Sequence, residues 1–100
     1  MKIVWSPTAR QCAEAAVDFI ALDRPRTAIE WFGGLIQRVE LLRDLPDQGR
    51  HVPEWGEPSV REILYEPYRV VYEVAEDRVE ILVLSHVRQQ FPSKRPEGSF

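Results

Sequence analysis

The chain has 100 residues, enough for one domain and too few for two independent cores. Hydrophobic residues make up 44% of it and charged residues 29%, and no run approaches the ~18–20 consecutive apolar residues of a membrane-spanning helix. Its formal net charge of −3, from 13 basic and 16 acidic residues, gives an average field that does not attract RNA or DNA.

Lys2 is followed by a short apolar run and then Ser6-Pro7, which is not the pattern of a signal peptide, so a cytoplasmic protein is expected. Cys12 is the single cysteine, which rules out an internal disulfide and a zinc cluster. It lies at helical spacing with Ala9, Ala16 and Phe19 and reads as a small core residue. A nucleophilic thiol would need a neighbouring base, and the sequence places none there.

Residues 2–5 read as a short edge strand. Ser6 followed by Pro7 is a helix start, because the Ser hydroxyl caps free N–H groups and Pro at the first helical position loses no hydrogen bond. Ala9, Cys12, Ala13, Ala16, Val17, Phe19 and Ile20 then recur with helical spacing to about Leu22. Asp23-Arg24-Pro25 ends that helix and opens a longer one, with Ala28, Ile29, Phe32, Leu35, Ile36, Val39 and Leu42 on its apolar face. Gly33-Gly34 in its middle costs up to ~1 kcal/mol per residue relative to Ala. Close packing against the Ala-rich first helix explains the pair better than a landing site for a partner helix. A short connection between complementary apolar stripes makes the two a helical hairpin.

Residues 46–59 contain Pro46, Pro53, Pro58, Gly49 and Gly56 and read as a loop carrying His51, Trp55 and several acids. From Val60 the apolar period changes to two, giving strands over 60–65, 68–75 and 78–85 joined at Glu66-Pro67 and Glu76-Asp77. Such short connections permit only antiparallel neighbours. About 89–100, with Pro92, Lys94, Arg95, Pro96 and Gly98, reads as an irregular, partly mobile tail of the single domain 1–100.

A two-residue turn at Glu76-Asp77 places Val74 opposite Val79, Tyr72 opposite Ile81 and Val70 opposite Val83, an apolar face to receive the helices. The other face then pairs Glu73 with Glu80, Val71 with Leu82 and Arg69 with Leu84. Directly opposed like charges need water, so this face is expected to be open. Through Glu66-Pro67 the same register sets Leu64 opposite Arg69 and Glu62 opposite Val71. Glu62, Arg69 and His86 thus come out on the open face around a floor of Val71, Leu82 and Leu84, in the manner of a binding groove. Arg61 points the other way and is given a structural role at the sheet rim.

The order strand, two helices, three strands resembles the RelE/ParE superfamily of bacterial toxins. Trp5-Ser6-Pro7-x-Ala9 resembles the family's opening, and Leu45-Pro46-x-x-Gly49-Arg50 its loop after the helices. Arg61-Glu62-Ile63-Leu64, Tyr68-Arg69-Val70-Val71-Tyr72 and Ile81-Leu82-Val83-Leu84-Ser85-His86-Val87-Arg88 resemble its three-strand core. The ordered set with compatible spacing carries the resemblance, over roughly residues 3–88. It implies an α+β fold with both helices on one sheet face, and a toxin of a type II toxin–antitoxin pair neutralised by a cognate antitoxin.

The family's members divide between DNA gyrase inhibitors of the ParE kind and RelE-like endoribonucleases that cut messenger RNA on the ribosome. Cleavage through the 2′-OH needs a base, cations for the phosphate charge and an acid for the leaving oxygen. RelE-like ribonucleases place basic residues nine and seven positions ahead of the Arg of the Tyr-Arg motif. Here those positions hold Val60 and Glu62, while Arg69 matches the family arginine. After the last strand Arg88, Gln89, Gln90 and Phe91 stand where those enzymes supply an Arg and a Tyr. Some relatives use a Glu, an Arg and a His, which Glu62, Arg69 and His86 could imitate. These departures and the acidic balance favour a ParE-like, non-enzymatic toxin acting on DNA gyrase, and no metal or cofactor is implied. Arg69, Val71, Leu82, Leu84, His86 and Arg88 would face the target or the antitoxin. The alternatives are a ribonuclease with catalytic Arg69, His86 and Glu62, or an antitoxin-binding relative without toxicity.

Overall fold

Ser6 sits at the junction of sheet and helices, fully buried, in a computed structural model that describes residues 1–96. Its hydroxyl accepts from Ala9 N–H at 3.0 Å, capping α1 (Pro7–Ala21) as the Ser-Pro signal requires. The same hydroxyl donates to Leu82 O at 2.9 Å, and Ser6 N–H donates to Ile81 O. One serine thus starts the helix and ties it to the last strand.

Strand β1 (Lys2–Trp5) precedes α1, and α2 (Pro25–Glu40) follows it with Pro25 in its first turn and a short 3-10 extension at Leu41–Arg43. Then come β2 (Arg50–His51), β3 (Val60–Tyr65), β4 (Tyr68–Val74) and β5 (Arg78–His86). The sheet order is β1-β5-β4-β3-β2, with β1 parallel to β5 and the other pairs antiparallel. This is the expected α+β fold, a helical hairpin and a three-stranded antiparallel meander, with β1 and β2 as its outer strands. The two-residue β2 falls inside the stretch read as loop; Arg50 and His51 pair with Glu62 and Arg61.

The loop between helices and meander is pinned from the sheet. Tyr72, fully buried, accepts from Gly49 N–H at 2.9 Å and donates to Pro46 O at 2.8 Å. Arg61 donates to Gly49 O at 2.8 Å, which gives it the structural role expected at the rim. A Cβ on Gly49 would lie 2.4 Å from Glu62 O, so glycine is required by backbone proximity.

The principal core lies between helices and sheet, joining Ala9, Ala13, Leu35, Val39 and Leu42 to Ile63, Val70, Tyr72, Val79, Ile81 and Leu84. Of the expected apolar face of the second helix, Ala28, Leu35, Val39 and Leu42 are buried, but Ile29 and Phe32 are 74% and 42% exposed, and Trp31 packs inward instead. The reason is a close descent onto the sheet at Gly34, where a Cβ would stand 2.2 Å from the Tyr65 hydroxyl. Trp31 then meets Tyr65 and Tyr68 with both ring centroids 5.5 Å away, and Tyr65 donates to Trp31 O at 2.8 Å. Close packing therefore does explain Gly34, but against Tyr65 of the sheet and not against the first helix; Gly33 faces open space. On α1, Cys12 is only partly buried and Phe19 is 76% exposed.

Pairing of β4 with β5 follows the expected register at Val74–Val79, Glu73–Glu80 and Tyr72–Ile81, then shifts by one residue at Val71/Tyr72. Val71 now opposes Val83, Val70 opposes Leu84, and Arg69 opposes Ser85. Leu82 is the extra residue of a β-bulge, and its carbonyl is the one that Ser6 takes. Leu82 and Val83 join a second apolar cluster as a result, one that Cys12 of α1 also touches, while Leu84 joins the principal core. Pairing of β3 with β4 holds the expected register throughout, Glu62 opposite Val71 and Leu64 opposite Arg69.

Residues 89–96 form no helix or strand. They nevertheless lie against the sheet through Phe91 and Arg95 and against the loop before β3 through Pro92. The rest of the expected tail, residues 97–100, lies outside the described residues.

Candidate functional site

The face turned from the helices is not open. Val60, Val71, Leu82 and Val83 form a second apolar cluster beneath Val52, Trp55 and Phe91. The covering groups belong to the loop before β3 and to the tail, with Cys12 of α1 also in contact with the cluster. Opposed Glu73 and Glu80 were expected to need water; here an arginine from the tail does the screening. Arg95 grips Glu73 at 2.8 and 3.1 Å and reaches Glu57 at 3.2 Å.

Arg69 stands at the edge of this cluster. Its Nε donates to Glu62 Oε1 at 2.6 Å, and its Nη1 and Nη2 donate to the two oxygens of Glu54, both at 2.9 Å. Its guanidinium lies 3.8 Å from the ring centroid of Phe91, a cation–π stack. The other Glu62 oxygen accepts from Arg50 Nε at 2.5 Å. Glu62 is 4% exposed, so two arginines neutralise a carboxylate that burial would otherwise penalise.

The charges respond accordingly. The Arg69 guanidinium holds the Glu54 carboxyl down at about 2. Glu54 and then Glu62 push Arg69 above its ordinary range, so it stays cationic. Arg95 lowers the Glu73 carboxyl. Burial raises Glu80, the neighbouring Glu73 adds to the shift, and Glu80 Oε2 has no hydrogen-bond partner among the described residues.

Glu62, Arg69, Val71 and Leu82 come together here as the sequence predicts. Leu84, His86 and Arg88 do not, because the bulge at Leu82 puts Leu84 and His86 on the helix side. His86 packs edge-on against Tyr68, with ring centroids 5.2 Å apart, and its Nδ1 accepts from Arg88 N–H at 3.0 Å. His86 and Arg88 line a groove with Cys12, Ala16 and Phe19 of α1. Sequence reasoning missed Arg50, Glu54, Glu57, Phe91 and Arg95 as parts of the site. The available signal was Trp55, a large aromatic in a Pro- and Gly-rich loop that must find apolar cover.

Both Glu62 oxygens accept from arginines, and all three Arg69 nitrogens donate to carboxylates. The group of Glu62, Arg69 and His86 is therefore split, and its two assembled members neutralise each other. Among the described residues no cluster of three or more His, Cys, Asp or Glu could hold a metal ion. No helix of the described residues is long and apolar enough to cross a membrane.

The chain is similar to a solved structure described as a chromosomal ParDE TA system from P. aeruginosa. The TM-score is 0.73 at 22% sequence identity, covering 86% of this chain and 95% of that one. This likeness establishes the fold. Comparison with curated protein sequences gives no match. The sequence model of one family, described as ParE toxin of type II toxin-antitoxin system, parDE, matches residues 3–91. The chain belongs to this ParE toxin family.

Proposed function

We propose that the protein is a cytoplasmic, non-enzymatic toxin that inhibits DNA gyrase and is held inactive by a cognate antitoxin. Family membership supports the toxin role, and the likeness to a ParDE system supports an antitoxin partner. The observation that carries the choice against RNA cleavage is the engagement of Arg69. Its guanidinium is bound by Glu54 and Glu62, and even with Glu54 displaced His86 stands across the sheet, so among the described residues no base, acid and free cation converge. The negative net charge supports a protein target over a phosphate backbone.

The test is a supercoiling and cleavage assay with gyrase and plasmid DNA, run beside message cleavage on translating ribosomes. Accumulated gyrase–DNA breaks with intact message are expected. Codon-phased cleavage of message with normal gyrase would overturn the reading and return Arg69, Glu62 and His86 to a catalytic role. Adding the antitoxin encoded beside the gene should suppress the gyrase effect.

A further inference from the structure

The loop 52–59 and the tail segment 91–95 bind each other as well as the sheet. Trp55 stacks on Phe91 with ring centroids 5.3 Å apart, and its Nε1–H donates to Pro92 O at 2.9 Å. Glu57 of the loop accepts from Arg95 of the tail. Each segment also grips the sheet, through Glu54 and Phe91 on Arg69 and through Arg95 on Glu73. We infer that these two segments form a single strap over the second face and open together, freeing Arg69 and its apolar floor in one step.

The argument rests on where the partners of Arg69 reside. Glu62 belongs to β3 and stays with the sheet, whereas Glu54 and Phe91 belong to the strap. Lifting the strap removes the counter-ion and the stacking ring at once. Arg69 is then still oriented by Glu62 through Nε, with its two-nitrogen edge presented beside Val71, Leu82 and Val83. A pre-oriented guanidinium next to an apolar floor suits a partner carrying a carboxylate beside an apolar side chain, the pair that Glu54 and Phe91 now imitate. Opening is also local. Backbone bonds tie the loop to the strands only near its end, where Glu57 O accepts from Val60 N–H and Ser59 O from Val74 N–H, whereas Trp55 N–H and Gly56 N–H bond back to Val52 O within the loop. Irregular segments held by side chains open at much lower cost than paired strands.

The experiment maps phenylglyoxal modification of Arg69 by mass spectrometry on the full chain, with amide hydrogen exchange measured in parallel. The variants are Phe91→Ala and Arg95→Ala. The hydrogen bonds of Arg95 go to Glu57 and Glu73, so its effect at Arg69 reports coupling through the strap. Arg69 modification should rise roughly tenfold in Phe91→Ala and about three- to fivefold in Arg95→Ala. Exchange over 53–57 should rise with it, and exchange in β4 and β5 should not. Wild-type reactivity of Arg69 in Arg95→Ala would overturn the proposal, leaving two separate contacts. Faster exchange throughout β4 and β5 in Phe91→Ala would also overturn it, because Phe91 would then belong to the core. The readout involves no toxicity, so it fails or succeeds separately from the gyrase assay.

Discussion

On its helix side the sheet buries Val70, Tyr72, Val79, Ile81 and Leu84 under regular helices rich in small residues. On its other side it buries Val71, Leu82 and Val83 under a loop and a tail, with Glu54, Glu62, Glu73 and Glu80 set around them. The first closure is almost wholly apolar, and its helices satisfy their own backbone groups. The second is held by aromatic contacts and by Arg50, Arg69 and Arg95. Several of these ion pairs are partly exposed, Glu54 for instance at 40%, so water screens them and each adds little. One face therefore fixes the fold, and the other can exchange its cover without dissolving it.

The sharpest way to break this comparison is to truncate one residue of each cover. Leu35 has no exposed surface, and Leu35→Ala should cost about 3–5 kcal/mol by lost transfer energy and the cavity left behind. Phe91 is only partly buried, and Phe91→Ala should cost about 1–2 kcal/mol. Urea unfolding of both variants beside the wild type measures the difference. Equal losses would mean that the tail is as much core as the helices, and the contrast between faces would disappear.

This division also decides how much could be read from sequence. Periodicity reports contacts between regular elements, so the hairpin, the meander and the β3–β4 register were legible from Val60 to Val74. The Ser6-Pro7 start was legible because a cap is a local bond. The bulge at Leu82 was not. It is anchored by Ser6, 76 positions away, and no pattern within 78–86 announces it. That one inserted residue moved Leu84 and His86 across the sheet and divided the candidate site. The cover over Arg69 was equally hidden, since irregular segments carry no period and their contacts are made by single side chains. Glu62 beside Arg69 was visible because both lie on strands with a short connection.

A second, smaller prediction separates two neighbouring glycines on the helix side. Gly34→Ala drives a methyl group into the Tyr65 hydroxyl and should destabilise by about 1–3 kcal/mol, because Tyr65 is held to Trp31 O and Trp31 packs on two tyrosines. Gly33→Ala meets nothing within 4 Å and should stabilise by about 0.5–1 kcal/mol through helix propensity. Thermal unfolding of the two variants should move in opposite directions. Movement in the same direction would show that α2 does not sit down on Tyr65 as described.

The smallest expected effect tests the charged face. Glu80 is 3% exposed, faces Glu73, lies near Arg78 and Arg95, and has one oxygen without a hydrogen bond among the described residues. Burial raises its folded carboxyl above the ordinary glutamate value of 4.5, so the folded chain binds this proton more tightly than the unfolded chain. The stabilisation from that proton is complete below the unfolded value and is lost as pH rises through the folded one. Glu80→Gln removes the titration and should stabilise the protein at neutral pH by up to about 1 kcal/mol. Its advantage over the wild type should shrink as pH falls toward the unfolded value. Denaturant midpoints of both proteins across that range provide the check. An advantage that stays constant with pH would assign the gain to packing. A loss at neutral pH would mean that ionised Glu80 is held by Arg78 and Arg95 strongly enough to offset its burial, making this face an ion-pair network throughout.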